Sequence, residues 1–133
     1  LLEVRNSYLL YYYKIKRRGE ITMNCKEEFL NTIKTKPKVI WSVIYAGISY
    51  NKRLINILTP GYTDDDFKIF LDKLNFEYDN GYGLQMIYGY IIYEDNSWSE
   101  RYSYDGEECW SYKKTPKFSE DIDVFFDPCH DCG

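Results

Sequence analysis

The spacing of apolar residues changes several times along this chain, and each change predicts an element. Phe29, Leu30 and Ile33 recur at helical intervals within NCKEEFLNTIKT, which predicts a helix over 24–35 that Pro37 closes. Residues 38–48 (KVIWSVIYAGI) are β-branched and aromatic, the pattern of a strand buried on at least one face. Asn51-Lys52 reads as a turn, and residues 53–59 (RLINILT) as a second strand pairing back on the first. Pro60-Gly61 breaks that run. Thr63 then offers an N-cap, Asp66 completes a capping box, and Asp64, Asp65 and Asp66 sit where a helix dipole favours negative charge. Phe67, Phe70, Leu71 and Leu74 follow at i, i+3, i+4 and i+7, so a helix is predicted over 63–75.

The second half reads as a meander. Asp79-Asn80-Gly81-Tyr82-Gly83 is a turn, 84–93 a strand, Glu94–Ser97 a turn, and 97–104 the returning strand. In that returning strand Trp98, Glu100, Tyr102 and Tyr104 share one face, and Ser99, Arg101 and Ser103 the other. Asp105-Gly106 is a hairpin signal leading into a strand over 108–113, which Pro116 ends. The order α-β-β-α-β-β-β predicts an α+β domain over 23–118. It has a mostly antiparallel sheet of about 4–5 strands and two helices packed on one side. Residues 119–133 read as an acidic tail.

Residues 1–22 are expected to lie outside this domain. The apolar run Leu9–Tyr13 comes before the basic residues Lys14, Lys16, Arg17 and Arg18, the reverse of a secretory signal, and it falls short of the about 20 residues that span a bilayer. Lys16-Arg17-Arg18-Gly19-Glu20 can be encoded by an A/G-rich stretch containing AGGAG, the core of a bacterial ribosome-binding site, a short spacer before the Met23 codon. The segment therefore reads as a translated leader, against the alternative of a genuine basic arm.

That boundary changes the charge. The whole chain has 17 basic and 21 acidic side chains, net −4. Without the five basic and two acidic residues of 1–22, the remainder has 12 against 19, net −7. An acidic domain is a poor match for phosphate backbones, so direct nucleic-acid binding is not expected. No membrane span is expected either, and a bacterial cytoplasm fits this composition. With no signal peptide, Cys25, Cys109, Cys129 and Cys132 are expected to stay reduced. The 15 tyrosines and 3 tryptophans supply both core volume and potential contact surface.

From Leu74 to Pro116 the chain resembles a widespread group of small phage and prophage proteins of unassigned activity. Their pattern is roughly L-x-F-x-Y-D-x-G-Y-G-x-Q, then G-x-I, then D-G-S/T-W-x-x-R-x-E-Y-D-G-x-E-W-W. The matching residues are Tyr78, Asp79, Gly81, Tyr82, Gly83, Gln85, Gly89, Ile91, Asp95, Trp98, Arg101, Tyr104, Asp105, Gly106, Glu108 and Trp110. Asn96 stands where the pattern has glycine, Ser103 where it has glutamate, and Cys109 where it has the first tryptophan of a pair. The resemblance spans about residues 61–116. It implies a phage origin and carries no reaction.

Size, acidity, tyrosine content and this resemblance together lead us to expect an accessory protein that acts by binding a host or phage protein. An inhibitor of a bacterial defence system such as an anti-CRISPR is one form. Tyr82, Trp98, Glu100, Arg101, Tyr104, Asp105, Glu108 and Trp110 are the expected contact residues. The aromatics Trp98, Tyr102, Tyr104, Trp110 and Tyr112 are read as one sheet face. Core beneath the helices is its favoured use, ahead of a protein-binding surface or a base-stacking platform. Two other functions compete: an enzyme or small-ligand site around Arg101, Asp105 and Glu108, and a virion component. Neither finds a catalytic constellation in the sequence, and the cross-strand pairing of Arg101 with Glu108 is the simpler account of that region. Cys129-x-x-Cys132 has zinc-knuckle spacing but no second pair beside it, so a structural zinc is the disfavoured reading and no cofactor is expected.

Overall fold

Both helices start where the sequence supplies a cap. The Asn24 side-chain oxygen accepts the Glu27 backbone N–H at 3.0 Å. Thr63 and Asp66 form the full reciprocal box: Thr63 Oγ1 accepts the Asp66 N–H at 3.1 Å, and the Asp66 carboxylate accepts the Thr63 N–H at 3.0 Å. The computed structural model describes residues 22–49, 52–79 and 84–118. The elements in chain order are β1 (Met23–Asn24), α1 (Cys25–Ile33), β2 (Val39–Ser49), β3 (Lys52–Leu58), α2 (Asp64–Lys73), β4 (Glu77–Tyr78), β5 (Ile87–Tyr93), β6 (Trp98–Tyr104) and β7 (Glu107–Lys113).

The fold is α+β. Five antiparallel strands form one sheet in the order β3-β2-β5-β6-β7, and β1 and β4 form a separate two-stranded ladder. The expected order α-β-β-α-β-β-β is present, with β1 and β4 added. Two-residue strands are too short to carry a period, so nothing in the apolar pattern announces them. β5 begins at Ile87 rather than at residue 84, and Leu84 is exposed. The segment before Met23, apart from exposed Thr22, lies outside the described residues, as do Tyr82 and the 119–133 tail.

The helices share one side of the sheet. Phe29 of α1 and Phe70 of α2 meet edge to face, their ring centroids 5.3 Å apart. Ile44, Ala46, Ile87, Ile91 and Tyr93 are the fully buried sheet residues of the same core. Burying each large apolar side chain is worth about 1.5–3 kcal/mol. Several polar side chains inside this layer find partners. Asn56 Nδ2 donates to the Phe70 carbonyl at 2.8 Å, Ser42 Oγ to the Tyr90 carbonyl at 2.8 Å, and Tyr93 and Ser99 share a hydroxyl contact of 2.7 Å.

Turn chemistry sets the register of the meander. Asp105 and Gly106 both have positive φ, at 51° and 84°, as a two-residue hairpin turn requires. The turn pairs Tyr104 with Glu107, and the ladder then runs through Tyr102↔Cys109 and Arg101↔Trp110. Even positions of β6 therefore lie opposite odd positions of β7. This corrects the expected aromatic face. Trp110 and Tyr112 share the helix side with Arg101 and Ser99, whereas Trp98, Tyr102 and Tyr104 point the other way. The Trp98–Tyr104 face is therefore not core beneath the helices. The side that looked polar, with Ser99 and Arg101, is the one turned inward.

Candidate functional site

Two places collect the sequence-predicted residues, one on each side of the sheet. On the helix side, Arg101 has a side chain only 1% exposed. Its Nη1 donates to Glu28 Oε1 at 2.9 Å, Nη2 to Glu108 Oε1 at 2.8 Å and to the Tyr78 hydroxyl at 2.5 Å, and Nε to Glu108 Oε1 at 3.1 Å. Tyr78 in turn donates to Glu28 Oε1 at 2.5 Å. Glu108 is fully engaged: its Oε2 accepts the Met86 N–H at 2.7 Å and its Oε1 the Ile87 N–H at 3.0 Å. The guanidinium also lies 5.2 Å from the Trp110 ring centre and 5.6 Å from that of Tyr78.

This cluster ties α1, β4, the start of β5, β6 and β7 to one another. Burial pulls the Arg101 pKa down, but Glu28, Tyr78 and Glu108 more than offset that, and the net direction is upward. Burial also raises the Tyr78 hydroxyl far above its ordinary value. It pushes the adjacent buried Cys25 thiol up to about 12, with Glu28 adding to the effect. A thiol held protonated in this way is no nucleophile at neutral pH. The donors and acceptors of Arg101 and Glu108 are spent on one another, on Glu28, on Tyr78 and on backbone, so the arrangement serves as an internal staple.

The structure brings Arg101, Glu108 and Trp110 together as interior groups, whereas the sequence reading had them as contact residues. Asp105 does not join them; it stands exposed in the hairpin turn. Glu28 was missed. Its signal was available, because at i+3 from Cys25 it falls on the buried stripe that Cys25 and Phe29 define. Trp110 Nε1 is buried and has no hydrogen-bond partner among the described residues.

Other residues between Gly89 and Asn96 have structural tasks. Gly89 has φ +144°, and a Cβ there would lie 2.1 Å from the Val43 carbonyl oxygen of the neighbouring strand. The Asp95 carboxylate accepts from both the backbone and the hydroxyl of Ser97; these bonds, the hydroxyl's first, lower its pKa. Asn96, where the pattern has glycine, has φ 68°, a left-handed position that asparagine tolerates better than most residues.

The opposite side of the sheet carries the second place. Register puts Trp41, Val43 and Tyr45 of β2, Ile55 and Ile57 of β3, and Tyr88, Tyr90 and Ile92 of β5 on one surface. It continues into Trp98, Glu100, Tyr102 and Tyr104 of β6. Ile55 is 64% exposed, Ile57 60%, Tyr88 46%, Tyr90 47% and Tyr104 69%. Tyr45 and Tyr88 make an edge contact at 6.0 Å, and Glu100 pairs with Lys113. Strand spacings near 4.8 Å and rises near 3.3 Å per residue give the β3-β2-β5 part a projected area on the order of 300 Å². That extent matches the largest apolar patch of an ordinary monomer, about 300–600 Å², which is often functional. Sequence reasoning found Trp98, Glu100 and Tyr104 here but missed Ile55, Ile57, Tyr88 and Tyr90.

Cys109 lies in the ladder opposite Tyr102. Cys129 and Cys132 lie outside the described residues. Among the described residues, no group of three or more His, Cys, Asp or Glu side chains is placed to hold a metal ion. Among the same residues, no helix is long and apolar enough to cross a membrane. Compared with protein-family models, curated proteins and solved structures, the chain gives no match.

Proposed function

We propose that this protein acts by binding another protein through the outward face of its sheet, as a small phage-encoded accessory factor in the host bacterial cytoplasm. One observation carries the binding part: Ile55 and Ile57 of β3 and Tyr88 and Tyr90 of β5 stand exposed on one surface, on either side of the half-buried Val43 and Tyr45 of β2. Aromatic and aliphatic side chains held rigidly on a sheet lose little conformational freedom on contact, which is why such residues dominate protein interfaces. The partner is a host or phage protein, and inhibition of a bacterial defence system such as an anti-CRISPR is one form the activity takes. The net charge of −4 and the phage-like signature motivate this part of the reading. The competing ligand-site reading at Arg101, Asp105 and Glu108 gains nothing from the geometry, since two of these groups are locked inside and the third stands apart.

The test compares affinity capture from infected and uninfected bacteria by tagged wild type and by a Tyr88→Ala/Tyr90→Ala variant. A stoichiometric partner held by wild type and lost by the variant is expected. Equal recovery on both, or no partner on either, removes the face from the account.

A further inference from the structure

The two edges of the five-stranded sheet are guarded unequally. Exposed strand edges recruit other strands unless charge, proline, bulges or a covering element prevents it. β7 carries Glu107, Glu108 and Lys113. β3 carries Lys52 and Arg53 at its start and Pro60 follows it, but it has no charge or proline from Leu54 to Leu58, and its two outward residues there, Ile55 and Ile57, are the ones that stand exposed. Among the described residues, β3 makes backbone hydrogen bonds only within its pairing to β2.

The strand is also self-complementary. An antiparallel pair of β3 strands centred on Asn56 sets Ile55 of one copy opposite Ile57 of the other, twice, and Leu54 opposite Leu58. It brings the Arg53 end of each copy to the Leu58 end of its partner. That end leads into the acidic first turn of α2, Asp64, Asp65 and Asp66. The position of this turn follows from two contacts: α2 lies behind β3 with the Phe70 carbonyl on Asn56, and the Tyr62 hydroxyl just before it bonds the Val39 carbonyl at 2.5 Å, three residues before Ser42, the β2 partner of Leu58. The two ends of the contact therefore carry opposite charge, Arg53 on the outward face and the acidic turn on the helix side.

We infer that two copies of this chain pair edge to edge through β3 into one ten-stranded antiparallel sheet, with Ile55 of each opposite the partner's Ile57. The dimer joins the two outward faces into one continuous surface. It stands independently of what that surface binds.

Sedimentation velocity on the full chain over a wide concentration series tests this. Wild type is expected to reach twice the 16.0 kDa chain mass. Ile55→Lys/Ile57→Lys, which sets like charges opposite each other, is expected to stay monomeric. Ile55→Lys/Ile57→Glu, which sets opposite charges together in this register alone, is expected to dimerise. Tyr88→Ala/Tyr90→Ala is expected to dimerise as wild type does. A wild type that is monomeric throughout overturns the inference, as does a dimer that survives the double lysine change, one that the Tyr88/Tyr90 change dissolves, or a monomeric lysine/glutamate variant. A monomer that still captures its partner sinks the pairing and leaves the partner-binding reading intact. A dimer whose Tyr88/Tyr90 variant keeps every partner does the reverse.

Discussion

Arg101 and Glu108 meet across the β6–β7 hairpin with Nη2 2.8 Å from Oε1, both side chains almost wholly out of solvent at 1% and 2% exposure. Neither charge is tolerable there alone. Removing the arginine leaves Glu108 and Glu28 buried without a cation, and removing the carboxylate also strips the Met86 and Ile87 N–H groups of their acceptor. Arg101→Met and Glu108→Leu are each expected to destabilise the fold by about 3–5 kcal/mol. The double variant should cost clearly less than the sum of the two. Urea denaturation of all four proteins measures the coupling. Additive losses would show that the two side chains act separately.

Gly89 lies against Ile44 in the β2–β5 pairing, and the position a Cβ would take is filled by the Val43 carbonyl oxygen. That obstacle is backbone in the middle of a sheet, so it cannot swing aside. The φ of +144° is itself one that side chains rarely adopt. Gly89→Ala is therefore expected to cost on the order of 3 kcal/mol or more. Gly61→Ala is a control with positive φ but open space around it, and should cost about 1 kcal/mol. Thermal melts compare the two, and equal losses would mean that steric contact at Gly89 contributes nothing.

Much of this was legible in the residues. The capping box at Thr63 and the helical spacing of Phe29, Leu30 and Ile33 and of Phe67, Phe70 and Leu74 located the helices, because local hydrogen bonding and one-sided burial act within a few residues. The hairpin at Asp105-Gly106 was legible too. With a two-residue turn, residues facing each other across β6 and β7 sum to an odd number, so even-numbered aromatics on the two strands cannot share a face. The mistaken aromatic face came from not carrying that parity through. Orientation was harder. Alternating Trp/Tyr against Ser/Arg suggests that the aromatics point inward, and the reverse holds because Glu28, fifty residues from Tyr78 and seventy-three from Arg101 in sequence, neutralises the arginine. No local pattern reports a partner at that separation. The exposed isoleucines of β3 were hidden for a related reason: a strand apolar on both faces reads as buried, whether or not anything covers it.

Asn96 occupies a left-handed turn position at φ 68°. Glycine enters that region at no steric cost, whereas a β-branched residue does not. Asn96→Gly is expected to leave stability within about 0.5 kcal/mol of wild type, and Asn96→Val to lose about 1–2 kcal/mol. Chemical denaturation at neutral pH distinguishes them. A valine variant as stable as the glycine variant would mean that the turn relaxes to another conformation.

Alkaline conditions should weaken the fold. Burial holds the Cys25 thiol at about 12 against an ordinary 9.0, and raises the Tyr78 and Tyr93 hydroxyls above their ordinary 10.0. Each group is neutral in the folded chain at a pH where the unfolded chain has released its proton. The stability they contribute is therefore complete below pH 9.0 and is lost as the pH rises from there toward the folded values. Cys25 alone removes up to about 1.4 kcal/mol for each pH unit within that window, and the tyrosines add to the slope above 10.0. Urea unfolding followed from about pH 8 to about pH 11 should show this decline, made shallower between pH 9.0 and 10.0 by Cys25→Ala, which has no proton to lose. Iodoacetamide offers a second readout, because folded Cys25 should resist alkylation at a pH where urea-unfolded chain reacts. A stability that stays level across the window, or a folded thiol as reactive as the unfolded one, would place Cys25 in contact with water and away from the Phe29–Phe70 core.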